Sequence, residues 1–374
     1  MQQLQAMMDK LNNKFGDGTV GIASDLVSTG AFDKRIIETP SVELNQALYC
    51  GGFSGVVELY GPNSSGKTSL AIETIAYNQK KDPDFIAAWM ETEHSISKNI
   101  LQDHGVDLSR LVYWSQEDVG NAESSMDIAR AFITQGNIDL LVVNSIAGLS
   151  PKTELETDLE KANVALTARL MSKFFRVSLG PMSKNNITAI FINQTRDNIG
   201  VMYGDTKTTT GGNALGYYAH QRIRMNQVSV QASDPIAKED GVKISCIIKK
   251  NREAGIHNPY TSCNYYALFS TGIDSTVAIP AALLDANANV EQKGAHWYIY
   301  DTNGDVATID GVEGHFKSKS DFIDILRNNK VWLEEMKKRL TVTSQTAEQI
   351  EEAKKEEENL EDMFEEIDAE TNEE

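Results

Sequence analysis

The sequence predicts an α/β protein in which a mainly parallel β-sheet is flanked by helices, and three observations carry that expectation. Short, continuous apolar runs at 56–60, 85–90, 140–143 and 187–192 have the length and hydrophobicity of strands buried on both faces. Stretches long enough for crossover helices separate them, among them 67–79 and 163–179. The run GPNSSGKT lies after the first strand and before the first of these helices, at the sheet edge where such folds bind ligands.

The elements follow in chain order. Residues 1–14 pattern as a short helix, broken at the turn Gly16, Asp17, Gly18. The helix over 163–179 is expected to stop at Gly180-Pro181, because proline has no N–H to donate to the preceding turn. A further strand at 243–248 precedes the basic run KKNR, which includes Lys250 and Arg252. Residues 270–340 read as a separate small α/β unit, ending in a helix with Phe322, Ile325, Leu326, Trp332, Leu333, Met336 and Leu340 at helical spacing.

Composition bounds the class. The 374 residues are 41% hydrophobic and 24% charged, an ordinary globular balance. No uncharged apolar run approaches the ~18 residues of a membrane span, and the N-terminus lacks the apolar core of a secretory signal. Three cysteines without disulfide or zinc-site spacing fit a reducing cytoplasm. The net charge of −19 is concentrated in residues 347–374, where 14 acidic residues and two lysines give −12. A solvated acidic tail is expected there, with competition against DNA for basic surface as the sharper alternative. The remaining 346 residues carry only −7, which does not oppose nucleic-acid binding.

GPNSSGKT fits G-x-x-x-x-G-K-[ST], a loop whose backbone N–H groups cradle phosphates. Gly61, Pro62, Asn63, Ser64, Ser65 and Gly66 form the cradle, Lys67 is the cation for the β- and γ-phosphates, and the Thr68 hydroxyl is a Mg²⁺ ligand. Ser69 continues into the helix. Chance occurrence of this motif on a structural turn is disfavoured by the strand before it and the helix after. ATP and Mg²⁺ are therefore the expected cofactors.

An acidic residue is expected at the end of an apolar strand facing the metal, but the strand IDLLVVNS ends in Asn144, which accepts a hydrogen bond without carrying charge. Glu91 and Glu93, in ETEH, end the 85–90 strand and lie two apart, on one side of an extended chain. One of them, Glu93 by preference, would activate water. Glu91 is the candidate to support the metal beside Asn144.

GPNSSGKT, ETEH, FINQTRDNIGVMYG and TTTGGNAL, in this order, resemble the bacterial RecA recombinases and their phage-encoded relatives, over about residues 11–340. The resemblance implies a RecA-type P-loop ATPase that forms filaments on single-stranded DNA, with ATP at subunit interfaces, and exchanges strands with duplex DNA. It implies a polymerisation segment at 1–32, a core at 33–269, a small domain at 270–340 and an acidic tail at 341–374. Glu93 resembles the water-activating glutamate, Gln194 the sensor of the γ-phosphate, and Lys250 and Arg252 the cations that reach a neighbour's ATP. The segment 195–209 resembles the second DNA loop. Its apolar tip of Ile199, Val201 and Met202, with Arg196 beside it, suits insertion between bases. Arg169 and Arg176 share one helix face with Lys173, and Gly211, Gly212 and Asn213 follow the loop; the resemblance implies DNA contact for these too.

The chain departs from the family at several places. Asn144 stands for the usual aspartate. Ser97 and Ile100 stand where an aspartate and a tyrosine flank the adenine, and Phe269 is the alternative stacking residue. The segment 157–165 lacks the glycines of the first DNA loop, and Asp197 and Asp205 dilute the charge of the second. The alternative function is a filament-forming single-strand binder that uses ATP as an assembly switch with weak hydrolysis. A ring helicase on the same fold is the third.

Overall fold

A computed structural model describes residues 1–27, 34–157, 165–197, 207–232, 234, 236, 237 and 239–340. Ten strands form the main sheet: β1 (Val56–Gly61), β2 (Ala87–Glu91), β3 (Leu111–Ser115), β4 (Leu140–Asn144), β5 (Thr188–Asp197), β6 (Lys207–Thr209), β7 (Gln221–Val228), β8 (Gly241–Asn251), β9 (Ser262–Leu268) and β10 (Gly272–Ile273). Their spatial order is β10-β9-β8-β7-β1-β5-β4-β2-β3, with β6 paired to β5 off that path. From β3 to β7 all neighbours are parallel, whereas β8, β9 and β10 are antiparallel.

The four apolar runs form four of the parallel strands, and β1, β2 and β4 are buried along their whole length. Successive side chains alternate between two layers, as a strand requires. Val57, Leu59, Val142 and Ile190 pack with Leu70 and Ile75 of the helix Lys67–Lys81. Val56, Val143 and Phe191 face the other layer, under Met126 and Ile133 of the helix Ala122–Gln135 and Phe175 of the helix Leu166–Lys184. The Phe191 ring lies 5.1 Å from Phe175 and 6.2 Å from Phe174 at edge-to-face angles. Truncating Phe191 to alanine would cost about 3–5 kcal/mol.

The structure corrects three expectations. The long helix does not stop at Gly180-Pro181; it runs from Leu166 to Lys184 with Pro181 inside it. Pro181 removes one N–H, but one further turn buries Met182 in the layer under β5, and packing outweighs the lost bond. The strands β3, β7 and β9 are absent from the sequence reading, because β7 and β9 are half-exposed and mix polar with apolar residues. The helix expected at the end of the small unit is two helices. Lys319–Asn328 ends at Asn329, whose side chain accepts from the backbone N–H groups of Val331 and Trp332 and so starts the second, 330–340.

The small unit has its own core. Trp297, Ile299, Phe316, Phe322, Trp332 and Met336 pack together beside a three-stranded antiparallel sheet. At the other end of the chain the helix Gln2–Phe15 buries only Met8 and leaves Leu4, Met7 and Phe15 exposed. No helix of the described residues is long and apolar enough to cross a membrane.

Candidate active site

The phosphate loop is built by the end of β1. At Gly61 a Cβ would come within 2.0 Å of the Met225 carbonyl oxygen on β7, so no side chain fits. Gly66 caps the helix Lys67–Lys81 at φ +82°, the left-handed region that favours glycine. Between them Pro62, Asn63 and Ser64 are exposed while Ser65 is buried. The Lys67 Nζ folds back onto the loop, donating to the carbonyls of Gly61 (3.2 Å) and Pro62 (2.7 Å) and to Ser65 Oγ (3.1 Å). Burial lowers the Lys67 ammonium below its ordinary value, and the charge of Glu93 opposes that shift. Thr68, half-buried, and exposed Ser69 lie in the first turn of the helix.

The strand ends of β2 and β4 are clasped together. Their register pairs Glu91 with Asn144. The Thr92 N–H donates to the Asn144 carbonyl (2.7 Å), and the Thr92 hydroxyl donates to the Ser145 carbonyl (2.9 Å). The Ser145 hydroxyl donates to Glu93 Oε1. Glu93 Oε1 also accepts from Gln194 Nε2 at 3.1 Å, so β5 meets the same carboxylate. Lys67, Glu93 and Gln194, expected to act together, are thus brought together at the carboxyl edge of β1, β2 and β5.

Glu91, expected to support the metal, has its carboxylate committed to protein donors. It is fully buried, and its oxygens are taken by protein donors: Trp89 Nε1 at 2.9 Å, the Glu93 N–H at 2.9 Å and Asn144 Nδ2 at 3.1 and 3.3 Å. Ser95 adds longer contacts from its N–H (3.5 Å) and hydroxyl (3.4 Å). The alternation of extended chain breaks after Glu91, where β2 ends, so the two carboxylates do not share one environment. Asn144 does retain a free acceptor: its Oδ1 is buried with no hydrogen-bond partner among the described residues. An orphaned buried oxygen at this edge fits an acceptor for a cation's water, and with the Lys67 ammonium and Thr68 the residues present fit a magnesium–triphosphate.

Behind Gln194, Asn193 joins three segments. Its Nδ2 donates to Glu58 Oε1 on β1 (3.0 Å) and to the Thr210 carbonyl after β6 (2.9 Å), and its Oδ1 accepts from the Gln194 N–H (2.9 Å). Glu58 is wholly buried and is neutralised by Arg222 of β7 at 2.5 Å. Nothing in the spacing of Glu58 and Arg222 signals this pair; it exists because β1 and β7 are neighbours.

Of the residues expected to contact DNA, Arg169 and Arg176 lie exposed along the helix Leu166–Lys184, with Lys173. Gly211 and Gly212 pack against Ile146 and Ala168, and Asn213 opens the helix Asn213–Tyr218. Arg196 is placed in β5, opposite Thr208 in β6. Ile199, Val201 and Met202, residues 158–164 of the first loop, and the tail 347–374 lie outside the described residues. Lys250 Nζ donates to the carbonyls of Gly216 (2.9 Å) and Tyr217 (2.8 Å), and Arg252 Nη2 to Tyr217 (3.1 Å). Burial, then the charges of Arg252 and Arg222, lowers Lys250 to about 8. Ser97 is a helix cap, accepting from the Ile100 N–H at 3.3 Å. Phe269 is exposed on the turn after β9, and the registers of β7, β8 and β9 put that turn on the phosphate-loop edge.

A family described as the RecA N-terminal domain matches residues 2–274. The chain belongs to the RecA family. Protein RecA of Bacteroides thetaiotaomicron is 38% identical over 305 residues, covering 80% of this chain and 87% of that protein. Protein RecA of Methylococcus capsulatus is 36% identical, covering 79% and 82%. A crystal structure of the RadB recombinase is similar with 20% identity and a TM-score of 0.46, over 64% of this chain and 98% of that one. As a RecA-family member the protein is an ATP-dependent recombinase acting in DNA recombination and repair, and a DNA-dependent ATPase with a P-loop core.

Proposed function

We propose that this RecA-family protein assembles in the cytoplasm as a helical filament on single-stranded DNA, holds magnesium–ATP at its subunit interfaces and exchanges strands with duplex DNA. The observation that carries the site reading is the convergence on Glu93, whose carboxylate feels the Lys67 ammonium and accepts from both Ser145 and Gln194. Glu93 accepts the proton of the attacking water, and Ser145 fixes the direction of the carboxylate. Lys67 exchanges its loop carbonyls for the β- and γ-phosphate oxygens. Thr68 and the orphaned Asn144 oxygen would hold Mg²⁺ and its water, which would supply neutralisation of charge at the phosphates. Gln194 turns between Glu93 and the γ-phosphate, and β5 and β6 carry that movement into the loop 198–206.

Lys250 and Arg252 act in trans on a neighbour's ATP. Their present acceptors, carbonyls 216 and 217, end the short helix that follows the DNA loop, which supports a link between the two sites. Exposed Leu4, Met7 and Phe15 support residues 1–32 as the polymerisation segment, with a core at 33–269, a small domain at 270–340 and a tail at 341–374. Phe269 stacks on the adenine. The test is ATPase rate with and without single-stranded DNA, measured alongside strand exchange and micrographs. DNA-stimulated turnover with filaments and exchanged product supports the reading. Filaments without appreciable turnover would make ATP an assembly switch, and closed rings would overturn it.

A further inference from the structure

The placement of Asn144 has a consequence beyond binding a cation's water. We infer that Asn144 is a positioning residue: its side-chain amide holds the buried Glu91 carboxylate, which in turn holds the backbone of Glu93. This rests on the reading of Glu93 as the base.

Glu91 is a carboxylate with no exposed surface, and its hydrogen-bond partners are neutral N–H and O–H groups. A buried charge is tolerated only when such donors surround it. Asn144 Nδ2 is the donor that spans both oxygens, at 3.1 and 3.3 Å, and it also donates to Ser95 Oγ at 3.1 Å. An aspartate at position 144 would put a carboxylate oxygen where Nδ2 stands. Two like charges would then lie about 3 Å apart in a water-excluded site with a donor lost, so one side chain must turn away or one carboxyl must hold a proton. An amide at position 144 therefore suits a carboxylate at position 91: this chain carries the charge on β2 and the donor on β4.

The link to the base is direct. Glu91 Oε1, one of the two oxygens under Asn144, accepts the N–H of Glu93 at 2.9 Å. Ser145, the next residue after Asn144, donates to the Glu93 carboxylate. A turn of Glu91 frees the Glu93 backbone from one side and shifts β4 against it on the other. Lys67 and its loop donate to none of these groups, so the loop's own hold on the phosphates is expected to survive, and any loss of the Asn144 contact to a cation's water is read separately in the magnesium requirement.

A swap of the two groups tests this. Glu91→Gln presents an NH₂ to the Asn144 donor whichever way the amide lies, and also to the Trp89 indole N–H in one orientation or the Glu93 N–H in the other. Asn144→Asp removes the donor and adds a charge. In the double variant the amide introduced at position 91 can donate to the carboxylate introduced at position 144, while its oxygen still accepts from the Glu93 N–H. Each single variant is expected to lower kcat about tenfold or more and the double to recover most of the loss, with KM for ATP within about twofold in Glu91→Gln, which leaves Asn144 in place. Melting temperature, binding of a fluorescent ATP analogue and the magnesium concentration at half-maximal turnover are measured for all four proteins. Turnover in Asn144→Asp that is unchanged, or faster at lower magnesium, overturns the inference. A double variant no better than its worse parent also overturns it. If Asn144→Asp alone does not fold, Glu91→Gln against the double carries the same decision: adding Asn144→Asp to Glu91→Gln must raise kcat. Glu93→Gln is the separate control, since retained turnover there removes the base reading itself.

Discussion

In the parallel half of the sheet the polar groups at the carboxyl edge satisfy one another, the Asn144 Oδ1 excepted. Lys67 donates to its own loop, Glu93 accepts from Ser145 and Gln194, and Glu91 and Glu58 are buried among protein donors. In the antiparallel half Lys250 and Arg252 donate to backbone carbonyls at an accessible edge, and the helix Val42–Ala47 brings Glu43 to β9 with one carboxyl oxygen unpartnered. The difference separates two jobs. On the reading proposed above, the carboxylates of the parallel half are preorganised by their own neighbours, whereas the cations of the antiparallel half rest on backbone carbonyls until a neighbouring subunit's nucleotide competes for them.

The largest expected break in that contrast is Glu93→Gln. Losing the base should lower kcat by about 10²–10⁴-fold, while ATP-stabilised DNA binding persists. Single-turnover rates beside DNA affinity check it; unchanged turnover would move the base elsewhere.

Glu43 tests whether the antiparallel half tolerates an unsatisfied buried charge. Burial raises its carboxyl to about 7 from 4.5, against the backbone and Ser41 hydrogen bonds, and Asp274 adds repulsion. The folded protein therefore holds this proton more tightly than the unfolded chain. The stability it contributes is fully present below about 4.5 and is lost as pH rises through about 7. The loss should approach roughly 3 kcal/mol by pH 8, and Glu43→Gln should remove that slope. Urea midpoints across pH 4–8 decide it; parallel curves for the two proteins would place the proton elsewhere.

A smaller effect is expected at Lys250 and Arg252, the cations proposed to reach a neighbouring subunit. With Lys250 lowered to about 8, its charge fades as pH passes from 7.5 to 9. Turnover on DNA should decline over that window by about tenfold, and Lys250→Arg should flatten the profile, because guanidinium stays charged. Nucleotide binding by the isolated chain should not change. An identical decline in Lys250→Arg would assign the pH dependence to another group.

The smallest effect concerns neither half. Deleting residues 347–374 removes a net −12 and should strengthen DNA association severalfold at low salt. The gain should shrink as the Debye length falls to about 8 Å near 0.15 M. Equal affinity and salt slope in the truncated protein would leave the tail without a part in DNA binding.

The amino-acid sequence by itself determined the phosphate loop, the four buried strands and the place of Glu93. Each depends on local pattern: glycines where a backbone must curl, unbroken apolar runs, a carboxylate at a strand end. Sequence spacing misjudged Glu91, because two residues apart on a strand means one face only while the strand lasts, and β2 ends at Glu91. It also misjudged Gly180-Pro181, where burial of Met182 outweighed a missing donor. The direction of β8 and β9, the Glu58–Arg222 pair and the grip of Lys250 on carbonyls 216 and 217 were decided by the tertiary structure alone. These join residues far apart in the chain, and whether a buried charge becomes a ligand or is silenced depends on which donors the fold sets beside it.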